Sequence, residues 1–228
     1  MIITSDFVFI HLHKSGGTFV NKILAQYYPG AKCPGYHLPY SYLTDEFRQL
    51  PTFGLVRNPW AYYVSWYYFQ MGMPQQNPLF LLMSNNKQLG FEETITNLLN
   101  LGSNPEMLNN VISLFPDDFP NRGINLTKNC FSTLKDSNLG FYSFLYQRMF
   151  ADCNNLTIGK VDTLRNDLLS FLKQFNSYPG AALESDVLSS EKSNCSNHKS
   201  YTEYYSKELK ELVQQKDSSL INLYSYEF

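Results

Sequence analysis

Charged residues are scarce in this chain, and arginine is particularly rare. Lysine and arginine total 18 and aspartate and glutamate 20 among 228 residues, so the formal net charge is −2, and only five residues are arginine. General electrostatic binders of nucleic acid are usually basic. The composition therefore argues against that class, and no nucleic-acid partner is expected.

A long apolar run and a secretory signal are also missing. No stretch approaches about 18 uninterrupted apolar residues, the length that a membrane-spanning helix needs. The first ten residues hold no basic segment, and their apolar run is too short for a signal peptide. The sequence therefore predicts no membrane span and a cytoplasmic protein.

Cysteine is sparse and never closely paired. The four cysteines are Cys33, Cys130, Cys153 and Cys195, so the chain contains no CxxC clip. A zinc site built on cysteine spacing is not expected, and no metal is predicted. Reduced, buried thiols are the expected state.

Apolar residues are plentiful, by contrast. Hydrophobic residues make up 43% of the chain and aromatic residues 16%, which is enough to build a sizeable core. A packed core is favoured over aromatic-lined pockets as the place of most of these rings. The length favours one large domain, or at most two small ones.

Two buried strands and a third, short strand are predicted, and a helix follows each of them. The strands are aromatic and β-branched runs, and the helices have apolar residues at helical spacing. The strand–helix pairs are 7–12 with 18–28, 52–56 with 59–70, and 156–161 with 162–175. Residues 91–101, 139–150 and 207–223 are also predicted helical, whereas 31–50 are irregular and 176–200 form a loop. Alternating strands and helices predict an α/β fold with a mostly parallel sheet flanked by helices.

The first motif with chemical content is Lys14-Ser15-Gly16-Gly17-Thr18, between the first strand and its helix. The glycines let backbone N–H groups approach an oxyanion, and the following helix points its positive end at the same place. Lysine precedes the glycines here, whereas a Walker loop has it after them, which disfavours a P-loop kinase. An ordinary strand–helix turn is the alternative.

The second motif is Arg57-Asn58-Pro59, with Ser65 two helical turns further along. An arginine at a strand end and a serine hydroxyl can converge on one phosphate. The alternative is that Arg57 caps a helix or pairs with a carboxylate.

Together the two motifs resemble those of the cytosolic and Golgi sulfotransferases, which use 3′-phosphoadenosine 5′-phosphosulfate (PAPS). In that family a K-[ST]-G-G-T loop holds the 5′-phosphosulfate, and R-[ND]-P with a serine eight residues after the arginine holds the 3′-phosphate. The resemblance is strong over 7–70 and loose over 156–228. It implies a P-loop NTPase-like fold in a single domain, 1–228, with 71–150 as a largely helical insertion on the acceptor side.

The chain departs from the family pattern at several positions. His13 stands where many members have proline before the lysine, and Tyr62 stands where many have a second arginine. Asp162 replaces the glutamate of an E-N-L segment. The tyrosine-rich segments 201–205 and 224–228 resemble the family's closing sequence.

The resemblance implies sulfuryl transfer from PAPS to a small-molecule or carbohydrate acceptor, without a metal. Lys14 is expected to stabilise charge on the leaving phosphate. The cofactor-binding residues are predicted to be Lys14, Ser15, Gly16, Gly17, Thr18, Arg57 and Ser65. The alternatives are a nucleotide-dependent kinase and a non-catalytic nucleotide- or partner-binding module of the same fold.

The general base is predicted to be His37. It lies between the two motifs, in Gly35-Tyr36-His37, which resembles the family's G-H dipeptide with one residue inserted. A carboxylate from 71–150, such as Glu92 or Glu93, is the rival. His11 and His13 are alternatives near the loop, and His198 is more simply interpreted as part of a solvated turn.

Overall fold

A four-stranded, mostly parallel sheet organises the protein. The computed structural model describes residues 1–75, 77–118, 126–135, 137–190 and 199–228. The strands lie in sequence order, with β1 antiparallel to β2 and with β2, β3 and β4 parallel. The strands are β1 Ile2–Ile3, β2 Val8–Ile10, β3 Thr52–Val56 and β4 Leu156–Lys160.

Twelve α-helices occur within the described residues. They are α1 Gly17–Tyr27, α2 Asp45–Arg48, α3 Pro59–Gly72, α4 Pro78–Met83, α5 Phe91–Leu99, α6 Pro105–Ser113, α7 Lys128–Ser132, α8 Phe141–Phe150, α9 Leu164–Leu172, α10 Ala181–Ser189, α11 Lys207–Lys216 and α12 Ser218–Tyr224. The described part of 71–150 is thus largely helical. The α/β fold with a mostly parallel sheet flanked by helices is confirmed.

The central strands are buried on both faces, which explains their nearly continuous apolar sequence. On one face, Phe9, Phe53 and Leu55 join a core with apolar residues of α1, α9 and α10. On the other face, a side chain at Gly54 would collide with the ring of Phe150 in α8. Helices therefore cover the sheet on both sides.

The described residues divide into two compact units. The first contains 1–57 and 147–190, and it includes the whole sheet. The second contains 58–75, 77–118, 126–135, 137–146 and 199–228. The single domain expected from the resemblance stays a prediction. No helix in the described ranges is both long and apolar enough to span a membrane.

The predicted loop over 176–200 is wrong, because α10 lies within it. Gly180 precedes this helix with a φ of 83°, a left-handed value that favours glycine. The helix buries Leu183 and Val187, one turn apart. Two apolar residues in a serine-rich stretch are too weak a pattern to be recognised against the composition.

The predicted closing helix over 207–223 is also wrong in one respect, because it is two helices. The chain leaves helical geometry at Asp217, with φ −107° and ψ 19°. The Asp217 carboxylate is fully buried, and it accepts hydrogen bonds from the Tyr63 hydroxyl (2.6 Å) and the Ser143 N–H (2.8 Å). These hydrogen bonds hold Asp217 in place at the break between the two helices.

Several short elements were not predicted. The segment 31–50 was expected to be irregular, but it contains α2 and a 3₁₀ turn at Tyr40–Tyr42. Helices α4 and α6 each begin with proline after an asparagine whose side chain accepts backbone hydrogen bonds. That N-cap chemistry was readable from Asn77 and Asn104 in the sequence.

Candidate active site

The Lys14–Thr18 loop leaves the carboxyl end of β2 and turns directly into α1. Lys14 and Gly16 both have positive φ, at 55° and 78°, and Gly16 is the N-cap of the helix. Left-handed geometry at the non-glycine Lys14 costs about 1 kcal/mol, and such positions cluster at functional sites. The turn sets the first N–H groups of α1, including those of Gly17 and Thr18, at the positive end of the helix.

The two glycines are required for different reasons. Gly16 needs its left-handed backbone, and a Cβ there would lie 2.6 Å from Leu164 Cδ1. Gly17 has ordinary helical geometry, but a Cβ there would overlap the imidazole of His11. The loop is therefore shaped by its backbone at the first glycine and by a close side-chain neighbour at the second.

Lys14 and Arg57 place two cations beside each other at the ends of β2 and β3. Because these strands are parallel neighbours, their carboxyl ends meet at the same edge of the sheet. Arg57 Nη1 donates to the Lys14 carbonyl oxygen at 3.4 Å. Burial, reinforced by the charge of Arg57, lowers the pKa of Lys14 from 10.5 to about 8. An anion bound here would relieve this repulsion.

His37 is held by its Nδ1 atom, which lies 2.8 Å from the carbonyl oxygen of His11. A carbonyl only accepts, so Nδ1 carries the proton and Nε2 keeps a lone pair. Burial, together with the charges of the Met1 amino group and Lys14, lowers the pKa of His37 from 6.5 to about 4, although the hydrogen bond to the His11 carbonyl oxygen opposes this shift. His37 is thus a neutral imidazole at pH 7, as a general base requires.

Three imidazoles form a cluster at this place, consisting of His11, His13 and His37. The His13 and His37 rings are stacked, with centroids 3.8 Å apart and planes 17° apart. The His11 and His37 centroids are 4.5 Å apart. Burial, with the neighbouring imidazoles and, for His11, the charges of the Met1 amino group and Lys14, lowers the pKa of His11 and of His13 well below 6.5. No group of three His, Cys, Asp or Glu side chains in the described residues is arranged to hold a metal ion.

The predicted residues are brought together only in part. Lys14, the loop through Thr18, Arg57 and His37 all belong to the first unit. Ser15 is fully buried, and its hydroxyl donates to the His13 carbonyl oxygen at 3.2 Å. Thr18 is exposed in the first turn of α1.

The other candidates belong to the second unit or lie outside the described residues. Ser65 is in α3, is 3% exposed, and stays a prediction as a phosphate ligand. Glu92 and Glu93 are exposed in the first turn of α5, where Glu92 accepts from the Ser206 hydroxyl. They also stay a prediction. His198 lies outside the described residues.

Sequence reasoning missed one polar residue that supports the cluster and another that fixes the turn after β4. Asn21, on the second turn of α1, donates to His11 Nδ1 at 3.3 Å. Asp167 accepts from the Lys160 N–H (2.8 Å) and the Thr163 hydroxyl (2.6 Å), and so fixes the turn after β4. In the sequence, the one indication of the role of Asn21 is its position one helical turn after the glycine pair.

Comparison with known proteins gives one informative result. No family model matches the chain, and no curated protein matches it. Among solved structures, mouse sulfotransferase SULT7A1 complexed with PAP matches with a TM-score of 0.50, over 98% of this chain and 91% of that chain. This chain has a sulfotransferase fold. Sequence identity is 12%, so the likeness shows the architecture and leaves the chemistry to the residues of the site.

Within the sulfotransferase fold, the loop after β2 and the arginine after β3 lie at the carboxyl ends of parallel strands. That edge is where open α/β sheets bind their ligands. The loop, the two cations and the neutral imidazole together suit an anionic substrate and a proton transfer beside it.

Proposed function

We propose that the protein is a sulfotransferase that moves a sulfuryl group from PAPS to an acceptor hydroxyl. The acceptor is a small molecule or a carbohydrate. The observation that carries the proposal is the convergence of Lys14, Arg57 and His37 at one edge of the sheet, around a loop shaped for an anion.

Each group has a role in this reaction. His37 Nε2 takes the acceptor proton as the acceptor oxygen forms a bond to sulfur. The bond between sulfur and the 5′-phosphate oxygen breaks, and 3′-phosphoadenosine 5′-phosphate (PAP) leaves. Lys14 stabilises the charge that grows on the leaving oxygen, and backbone N–H groups of 15–18 hold the sulfonate.

Arg57 is assigned to the 3′-phosphate, as the resemblance implies. That phosphate does not change during the reaction, so Arg57 contributes to binding more than to turnover. The named structural neighbour is complexed with PAP, which supports a nucleotide of this kind as the donor's product.

Nucleotide binding tests the proposal. At a hundredfold excess over its Kd, PAP is expected to stabilise the protein by about 2.7 kcal/mol. AMP, which lacks the 3′-phosphate, should stabilise it less. Equal shifts with the two nucleotides, or a larger shift with ATP and Mg²⁺, would overturn the donor assignment.

A pair of arginine variants sharpens this test. Arg57→Ala should weaken PAP binding about tenfold or more and bring the PAP shift close to that of AMP, because a charged hydrogen bond of about 1.5–3 kcal/mol is lost. Arg48→Ala is the matched control, since Arg48 belongs to the same unit but forms an exposed pair with Asp45. The control should bind PAP as the wild type does.

Transfer itself is measured with ³⁵S-labelled PAPS and a panel of phenols, alcohols and sugars. Labelled product that depends on Lys14 and His37 supports the proposal. PAP binding without transfer to any acceptor class would favour a non-catalytic binding module.

A further inference from the structure

The ring of His13 makes no hydrogen bond through either nitrogen to any described residue, although the side chain is only 4% exposed. A buried imidazole without partners is costly, so a side chain needed only for packing would be expected to be apolar. The contact that distinguishes His13 is made by the face of its ring. That face lies on His37, with centroids 3.8 Å apart and planes 17° apart.

His37 needs such a contact. Its hydrogen bond in the cluster, from Nδ1 to the His11 carbonyl oxygen, anchors one edge of the ring but leaves the ring plane able to tilt. A flat surface parallel to the ring removes this freedom. The direction of the Nε2 lone pair is then set by contacts at both the edge and the face of the ring.

We propose that His13 is a positioning residue whose ring face holds the imidazole of His37 in the orientation that exposes Nε2 for proton transfer. The proposal rests on the proposed function, in which His37 is the base.

The decisive experiment separates the ring face of His13 from its nitrogens. His13→Phe keeps a flat face and removes the nitrogens, whereas His13→Leu fills the space without a flat face. Should the leucine variant fail to fold, His13→Met takes its place, since methionine adapts to irregular gaps. Val187→Ala, a core truncation in α10, is the control for general destabilisation.

The first readout is the orientation of the His37 ring, measured by NMR on the full chain, which has four histidines. Wild type, His13→Phe and Val187→Ala should each show one sharp set of His37 ring signals with Nδ1 protonated. His13→Leu should keep Nδ1 protonated, because the His11 carbonyl oxygen still accepts, but its His37 ring C–H signals should be broadened or multiple, as expected for several ring orientations. Sharp, unchanged His37 ring signals in His13→Leu would overturn the proposal, and so would broadened signals in His13→Phe.

The second readout is kinetic. His13→Leu should lower kcat by about 10- to 100-fold through misplacement of the base, with the Kd for PAP unchanged. His13→Phe should recover turnover to within about threefold of the wild type. A phenylalanine variant as slow as the leucine variant would overturn the proposal. The NMR readout needs no nucleotide, so failure of the wild type to bind PAP would refute the proposed function without deciding the role of His13.

Discussion

Two buried polar clusters, one in each unit, differ in how completely their hydrogen bonds are made. In the second unit, the Asp217 carboxylate accepts from Tyr63 and Ser143, and the Tyr63 hydroxyl also accepts from the Tyr142 N–H at 3.2 Å. In the first unit, the histidine cluster leaves both nitrogens of His13 without a partner among the described residues. The Asp217 carboxylate thus has hydrogen-bond donors within its own unit, whereas the His13 ring nitrogens have no hydrogen-bond partner among the described residues.

The difference indicates what each cluster is for. A satisfied buried carboxylate stabilises the fold, and its removal leaves several donors unpaired. The unmet hydrogen bonds and adjacent cations of the histidine cluster cost stability, and such a cost is expected at a functional site. Substitutions in the two clusters should therefore change different measurable quantities.

The largest effect is expected for Lys14→Ala. Charge grows on the leaving oxygen only as the sulfur–oxygen bond breaks, so kcat should fall by about a thousandfold, with a smaller change in PAP affinity. Single-turnover kinetics and calorimetry on the same variant separate the two quantities. A large loss of PAP binding with an unchanged kcat would show that Lys14 holds the ground state instead.

Asp217→Ala should destabilise the protein by about 3 kcal/mol, because the Tyr63 hydroxyl and the Ser143 N–H lose their acceptor inside the second unit. Urea unfolding measures this loss. Asp117→Ala is the control, since its exposed ion pair with Lys128 is worth less than about 1 kcal/mol. A loss as small as that of the control would mean that water replaces the carboxylate.

His37→Gln should lower turnover by about a hundredfold and leave PAP binding nearly intact, because an amide cannot take the acceptor proton. His37→Ala should behave in the same way. Turnover near the wild-type rate in the glutamine variant would refute the assignment of His37 as the base. The search would then move to Glu92 and Glu93.

The smallest effect concerns pH. With a His37 pKa of about 4 and a Lys14 pKa of about 8, kcat/KM should fall below pH 4, as His37 gains a proton, and above pH 8, as Lys14 loses one. Arg57→Ala removes a positive neighbour, so the basic limb should move to higher pH. An unmoved limb would mean that the Arg57 charge does not act on Lys14.

Much of the fold was predictable because local signals agree with it. The strand Thr52–Val56 has the predicted bounds, since an apolar run is limited by Pro51 before it and by the Pro59 helix start after it. The loop at Lys14 was predictable because its glycines have backbone and spacing requirements that few residues meet. Short helices with few apolar residues, such as α10, have too few local signals in the sequence to be predicted.

The stacking of His13 on His37 was not predictable, because it depends on packing between distant segments. The two residues are 24 positions apart, and the contact forms only once the segment after α1 returns to the end of β2. The break at Asp217 is similar, since it depends on acceptor sites for Tyr63 and Ser143 that only tertiary structure supplies. The spacing of apolar residues along the sequence gives no information about either contact.

Gly16 and Gly17 are constrained for different reasons, and this difference determines which substitutions in the loop evolution can reach. At Gly17 the nearest obstacle is a neighbouring side chain, so exchange of His11 for a smaller residue relieves the overlap with an alanine Cβ. At Gly16 the obstacle is the backbone, and shrinking Leu164 leaves the left-handed strain in place. Substitutions at 17 are therefore eased by one change at 11, whereas at 16 a change at 164 still leaves a strain of about 1 kcal/mol for other residues to offset.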